Sequence, residues 1–214
     1  MKGLLKKDFL LAFKSWPVML GILVIATAIM AYLNATVGLL SFTAIFFLMQ
    51  GVASIITDRM SGWNLYQTTF PISRSRAITE KYLFSLICGL AGFGLGFLIC
   101  LCFGSAQEEA LLVSSLLGGI LGLSAMSVGI PLLLALPKNA FPAAIFAGFI
   151  PGAFCVVLWN QELTRQSALV QASQGAIAFN MRTDLLWIQL ACIAGLCLVS
   201  WIVTPMVLSR KDQR

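Results

Sequence analysis

The sequence predicts an all-α, polytopic membrane protein with six spans. Of its 214 residues, 59% are apolar and only 10% are charged, and the mean hydropathy is +0.94. These values lie far outside the ranges of soluble domains. The chain also has six long apolar runs without a Lys, Arg, Asp or Glu, and one central charge costs roughly 3 kcal/mol of insertion free energy. A soluble enzyme or binding domain is therefore excluded, and a single transmembrane domain accounts for residues 1–214.

Each apolar run is long enough to cross a bilayer, which takes about 20 residues. The predicted spans are 17–35, 39–57, 82–104, 110–136, 140–159 and 185–209. The fourth run is long for one crossing, so we expect it to tilt, to begin late or to break near Pro131. Pro142 and Pro151 interrupt the fifth run and predict a broken or irregular helix there.

The basic residues indicate the orientation. All but two of the 14 Lys and Arg residues fall in the N-terminal segment, the second and fourth connections and the C-terminal tail. The positive-inside rule therefore places both termini in the cytoplasm. Residues 58–81 become a cytoplasmic connection and residues 160–184 an extracellular segment, for which one or two short helices and a plain loop are both open.

Residues 1–16 predict a basic amphipathic helix. Its apolar residues recur at helical spacing and gather on one face: Leu5, Phe9, Ala12, Phe13 and Trp16. Lys7 and Lys14 are expected on the opposite face. We expect this helix to lie in the membrane interface, with its apolar side on the lipid, and to lead into the first span. The alternative is that its lysines only set the topology.

The second connection carries an aromatic stripe. Trp63, Tyr66 and Phe70 share one face of a candidate helix that must end before Pro71, and Ser73 is a suitable N-cap for a following helix. Such a stripe fits an interfacial helix at headgroup level. The pattern alone favours this interpretation, and the alternative is a rigid aromatic anchor for a protein partner.

Other motifs exclude several chemistries. The chain has no histidine, its six cysteines fall in predicted spans without a disulfide or metal-binding pattern, and it has no phosphate-binding G-x-x-x-x-G-K-[ST] loop. No metal site and no nucleic-acid partner are expected. Gly92-x-x-x-Gly96 and Gly118-x-x-x-Gly122 predict close helix packing. Gln50, the amide deepest in an apolar run, is the candidate pathway residue.

The pattern from Asp58 to Tyr82 resembles small bacterial permeases of the type-2 ABC exporter family, of the kind that export amphipathic and antimicrobial peptides. The resemblance rests on an acidic residue, an aromatic pair, a Thr-x-Pro-x-Ser-Arg stretch and a closing Lys-Tyr pair, with Phe70 where the family usually has Leu. It implies that residues 58–81 form a coupling helix that docks in a groove of a separate ATP-binding subunit. The residues assigned to this coupling are Asp58, Trp63, Tyr66, Thr69, Pro71, Arg74, Arg76 and Lys81.

The resemblance also implies a function. The chain would be the permease subunit of an ATP-driven exporter in the bacterial plasma membrane, without catalytic residues of its own. Two ATP-binding subunits would bind ATP and Mg²⁺, and a second permease, a copy or a relative, would complete the pathway. The apolar spans favour a hydrophobic or amphipathic substrate, with a peptide as the preferred case.

Two other classes of membrane protein fit the sequence less well than an exporter permease. A stand-alone secondary carrier usually places ionisable groups at the membrane midplane, and none is predicted there. An intramembrane protease is disfavoured because Gly122-Leu123-Ser124-Ala125-Met126 lacks the second glycine of a G-x-S-x-G motif and the chain has no histidine.

Overall fold

The computed structural model describes residues 2–33, 36–63, 73–103, 108–172 and 183–211. In these ranges the chain forms α1 (Lys2–Tyr32), α2 (Gly38–Met60), α3 (Arg74–Cys102), α4 (Glu108–Ala135), α5 (Phe141–Ala172) and α6 (Thr183–Lys211), with a 3-10 turn at Lys138–Ala140. All six α-helices are long and apolar enough to cross a membrane. The predicted all-α architecture with six spans is therefore confirmed.

Helices α2 and α4 form the centre of the bundle. Helix α2 packs most closely against α3 and also along α4, and α4 in turn packs against α5 and α6. The largest apolar core takes residues from five helices, including Ile55, Tyr82, Ile130, Phe141 and Cys197. Helix α1 lies at the edge, where it contacts α2 and α3.

Small residues explain why α2 lies so close to its neighbours. Gly92 and Gly96 of α3, and Gly118 and Gly122 of α4, all face α2. A Cβ atom at Gly92 would lie 2.5 Å from the Cβ of Phe47, and one at Gly118 would lie 2.9 Å from a Cα of α2. Larger side chains would force the helices apart. The close packing predicted from both glycine motifs is confirmed.

The prolines do not break the fourth and fifth helices. Helix α4 runs through Pro131, and α5 runs through Pro151 as one helix. Pro142 lies in the first turn of α5, where an N–H has no acceptor within the helix and its loss costs little. Pro151 removes one hydrogen bond, and the packing of α5 along α4 holds the helix together on both sides. The predicted break in the fifth span is wrong.

Helix α5 also extends beyond its predicted span. The apolar run ends at Trp159, but the helix continues to Ala172 because residues 160–172 include neither Pro nor Gly and are rich in helix formers. Its length is about 48 Å at 1.5 Å per residue, against a bilayer core of about 30 Å. The first part of the predicted outer segment is therefore helical. Residues 173–182 lie outside the described residues.

Helix α1 joins the predicted amphipathic segment and the first span without interruption at Pro17. Leu5, Phe9, Ala12 and Trp16, on the predicted apolar face, pack against α3. The ring of Phe9 meets that of Phe84 edge-on, with their centroids 5.2 Å apart. The apolar face therefore has a protein contact, and the position of residues 1–16 in the membrane interface stays a prediction.

Candidate functional site

Four charged side chains from three helices form a closed ring of alternating charge. Lys7 and Asp8 come from α1, Asp58 from the end of α2 and Lys81 from the second turn of α3. The Lys81 Nζ donates to Asp8 Oδ2 at 2.5 Å and to Asp58 Oδ2 at 2.6 Å. The Lys7 Nζ lies 2.6 Å from Asp58 Oδ1 and 3.1 Å from Asp8 Oδ1. Each carboxylate thus contacts both ammonium groups, and we call these four residues the charge ring.

The charge ring is largely removed from solvent. Asp8 is 0%, Asp58 3% and Lys81 8% exposed. Removing one partner from such a buried arrangement leaves an uncompensated charge, which costs about 3–5 kcal/mol. The ring therefore holds α1, the end of α2 and the start of α3 in one fixed relation.

Glu80 adds a third carboxylate beside the charge ring. It is 2% exposed, and its Oε2 lies 3.9 Å from the Lys81 Nζ. Its other oxygen, Oε1, is buried and makes no hydrogen bond in the described part of the chain. The site thus holds three carboxyl groups beside two ammonium groups, so one carboxyl group has no cationic partner of its own.

Trp63 joins the site through Lys7. The Lys7 Nζ lies 4.7 Å from the centre of the Trp63 ring, a cation–π distance. The sequence placed Lys7 on the face opposite the apolar stripe, and this prediction is wrong because the long side chain reaches across to Asp58. Lys14, by contrast, is exposed as expected.

Helix α3 is also tied to α6 close to the charge ring. The Trp201 Nε1 donates to Thr79 Oγ1 at 3.1 Å. One turn further into the bundle, the Tyr82 hydroxyl lies 2.8 Å from Ser200 Oγ, which donates to the Ser127 carbonyl at 2.5 Å. Pro131 has no N–H, so the Ser127 carbonyl lacks its usual partner within α4. Ser200 takes the place of that partner and links α6 to both α3 and α4.

The structure brings together some of the predicted coupling residues. Asp58 and Lys81 are paired, and Trp63 is joined to them through Lys7. Arg76 is exposed in the first turn of α3. Arg74 begins α3, and nothing is described of its side chain. Tyr66, Thr69 and Pro71 lie outside the described residues. Gln50 is half-buried in the middle of α2, away from the charge ring.

Sequence reasoning missed Lys7 and Asp8 as site residues. One signal could have found them, because Asp8 is the acidic residue of an otherwise basic segment and lies one turn from both Leu5 and Ala12 on the apolar face. A carboxylate on a face that becomes buried requires a cationic partner. The cations of the predicted cytoplasmic connections, Lys81 among them, were the candidate partners.

A cavity of about 350 Å³ lies at the opposite end of the bundle. It is lined by Val37, Gly38, Ser41, Ala110, Val113, Ser114, Leu117, Trp159 and Leu163. The hydroxyl groups of its two serines already donate hydrogen bonds within the protein. Ser114 Oγ donates to the Val37 carbonyl at 2.7 Å, and Ser41 Oγ donates to the Ser114 carbonyl. The remaining lining is apolar. Among the described residues, no group of three or more His, Cys, Asp or Glu side chains could hold a metal ion.

Six long apolar helices, two of them joined by a connection whose ends meet in buried ion pairs, define a multi-pass membrane protein. The family model described as ABC-2 family transporter protein matches residues 3–207, nearly the whole chain. This chain belongs to the ABC-2 transporter family and is a membrane-spanning ABC permease subunit. Membership implies an ATP-binding partner subunit. No match was found among curated proteins or among solved structures.

Proposed function

We propose that this chain is half of the membrane pathway of an ATP-driven exporter, and that residues 58–81 receive the motion of a separate ATP-binding subunit. The charge ring carries this proposal. Its Asp58–Lys81 pair, at 2.6 Å, joins the first and last residues of the segment. A segment that passes on movement must be attached firmly to the helices that it moves, and buried ion pairs give this attachment.

Within the segment, each residue type has a physical role in docking. Trp63 and Tyr66 provide aromatic contact area for a groove on the ATP-binding subunit. Arg74 and Arg76 pair with carboxylates on that subunit. Thr69 and Pro71 belong to the same proposed docking segment by the family pattern. Asp58 and Lys81 hold the base of the segment through the charge ring.

The family match supports a proposal for the assembly. We propose two permease subunits, identical or related, with two ATP-binding subunits that bind ATP and Mg²⁺, in a bacterial plasma membrane with both permease termini in the cytoplasm. The charge asymmetry of the connections supports this orientation.

We propose a hydrophobic or amphipathic substrate, with an amphipathic peptide as the preferred case. The cavity between α2, α4 and α5 supports an apolar cargo because its serines already have partners and the rest of its lining is apolar. A strongly charged cargo would lose its hydration there without compensation. Gln50 is the candidate polar residue of the route through the bundle.

Co-purification tests the coupling role. The tagged chain, solubilised from its own membrane, is expected to retain an ATP-binding subunit with ATPase activity, and a Trp63→Ala, Tyr66→Ala double variant is expected to lose it. The matched control is a Tyr32→Ala, Trp187→Ala double variant. It also removes two exposed aromatic side chains, but at the end of the bundle away from residues 58–81. Unchanged retention by a folded Trp63, Tyr66 variant would contradict the assignment.

A further inference from the structure

The C-terminal end of α4 has a carbonyl that the helix cannot satisfy. In an α-helix the carbonyl of residue 133 accepts the N–H of residue 137, and residue 137 is a proline. The neighbouring carbonyl of Leu132 does have its partner, the Leu136 N–H at 2.9 Å. The Leu133 carbonyl therefore needs a donor from elsewhere, and Leu133 is fully buried.

Arg59 of α2 supplies this donor. Its Nη1 donates to the Leu133 carbonyl and also to the Leu136 carbonyl, the latter at 2.6 Å. A permanently charged guanidinium is favourable here because the C-terminal end of a helix carries partial negative charge. One side chain from another helix thus completes the last turn of α4.

The same guanidinium contacts the start of α5. Its Cζ lies 5.0 Å from the centre of the Phe141 ring, and Phe141 is the first residue of α5 and part of the main core. Arg59 follows Asp58 directly in the sequence. Two adjacent residues at the end of α2 therefore face two groups of helices, with Asp58 bound to α1 and α3 and Arg59 bound to the junction of α4 and α5.

We propose that Arg59 is a positioning residue that fastens the α4–α5 junction to the start of segment 58–81, by replacing the donor that Pro137 lacks. This inference rests on the proposed function, because the fastening makes α4 and α5 follow the segment when an ATP-binding subunit moves it. Without Arg59 the segment would remain attached to α1 and α3 through the charge ring, but its polar link to the α4–α5 junction would be lost, and only the apolar packing of α2 along α4 would remain there.

Substitutions at Arg59 and Pro137 separate two effects. One is the hydrogen bonding at the end of α4, and the other is the link between α2 and the α4–α5 junction. Arg59→Ala leaves the Leu133 carbonyl unsatisfied and is expected to lower the Tm of the purified chain by at least about 2 °C. Adding Pro137→Ala restores a backbone N–H two residues beyond the end of α4, at the position that would bond the Leu133 carbonyl if the helix continued, and is expected to recover part of that loss. Arg165→Ala is the matched control because its side chain is 76% exposed, and it is expected to leave Tm unchanged.

Spin labels at Met60 and Asn139, both exposed, then report the link itself in a background without native cysteines. We expect a narrow distance distribution in the parent, in Arg165→Ala and in Pro137→Ala. We expect a broad distribution in Arg59→Ala and also in Arg59→Ala with Pro137→Ala, where stability recovers but the link between helices does not. Arg59→Lys, which keeps the charge but cannot span both carbonyls and the ring, should be intermediate and serves if the alanine variant does not fold.

A narrow distribution in Arg59→Ala, or an equal recovery of Tm and distance by Pro137→Ala, would overturn the proposal. Neither measurement requires an ATP-binding subunit. Failure here is therefore distinguishable from failure of the proposed function, which the co-purification experiment tests.

Discussion

Asp58 and Lys81 lie 23 positions apart in the sequence, and their side chains meet at 2.6 Å. Asp58 lies near the end of α2 and Lys81 near the start of α3, so their contact closes the connection between these helices at its base. Lys7 and Asp8 brace the same contact from α1. The two ends of the connection are therefore joined by ion pairs at one place in the bundle.

Replacement of Lys81 tests the charge ring. Lys81→Met is expected to destabilise the chain by about 3–5 kcal/mol, because it leaves Asp8 and Asp58 buried with only Lys7 as a cationic partner. Thermal unfolding of the purified chain measures the effect. Lys14→Met, which removes an exposed lysine from α1, is the control and should leave Tm unchanged. A Lys81→Met protein as stable as the control would show that the ring contributes nothing.

Glu80→Gln and Asp8→Asn are expected to differ in their effect on Tm. The amide keeps the shape of Glu80 and cannot ionise beside Asp8, so Tm should stay equal to that of the parent or rise. Asp8→Asn removes a charge that accepts a hydrogen bond from Lys81 at 2.5 Å, so Tm should fall. An equal fall in both variants would contradict the charge balance described for the site.

The contact between α2 and α3 is tested by two neighbouring glycines. Gly92→Ala is expected to cost about 1–3 kcal/mol because the new Cβ would overlap Phe47. Gly94→Ala should be neutral or stabilising, since a Cβ at that position meets no atom within 4 Å and alanine favours a helix. Unfolding of both variants under identical conditions gives the comparison. Equal stabilities would mean that the helices are not held at the described distance.

Cysteine labelling tests the orientation of the spans. In a background without native cysteines, Arg165→Cys on α5 should react with an impermeant maleimide added to intact cells. Arg76→Cys at the start of α3 should react only after the membrane is opened. Both positions are exposed on this chain, so in cells that make it without an ATP-binding subunit their access depends on the side of the membrane alone. Labelling of both sites from outside would contradict the orientation derived from the basic residues.

Most of the fold followed from the sequence because membrane insertion depends on local composition. The spans were predicted from uncharged runs, and the packing of Gly92 and Gly118 against α2 followed from residue spacing. The break expected at Pro142 or Pro151 was wrong for a tertiary reason. A proline in the first turn removes no helix bond, and a packed neighbour supports a helix that has lost one.

The candidate site was only partly predictable. Asp58 and Lys81 were found through a family pattern, but their partners Lys7 and Asp8 depend on how α1 lies against α3, which a one-dimensional pattern does not contain. Arg59 was read only as a topology signal. Its role depends on a proline 78 positions further along the sequence, and this relation becomes visible only when α2 and α4 are placed side by side.

The hydrogen bond from Ser200 to the Ser127 carbonyl has a consequence for biogenesis. The donor lies on α6, while the acceptor lies on α4, which is made two spans earlier. Until α6 has been inserted, the gap left by Pro131 has no protein donor to fill it, and a polar backbone group in lipid is costly. Helix α4 thus reaches its final hydrogen bonding only after α6 has been made and has packed against it.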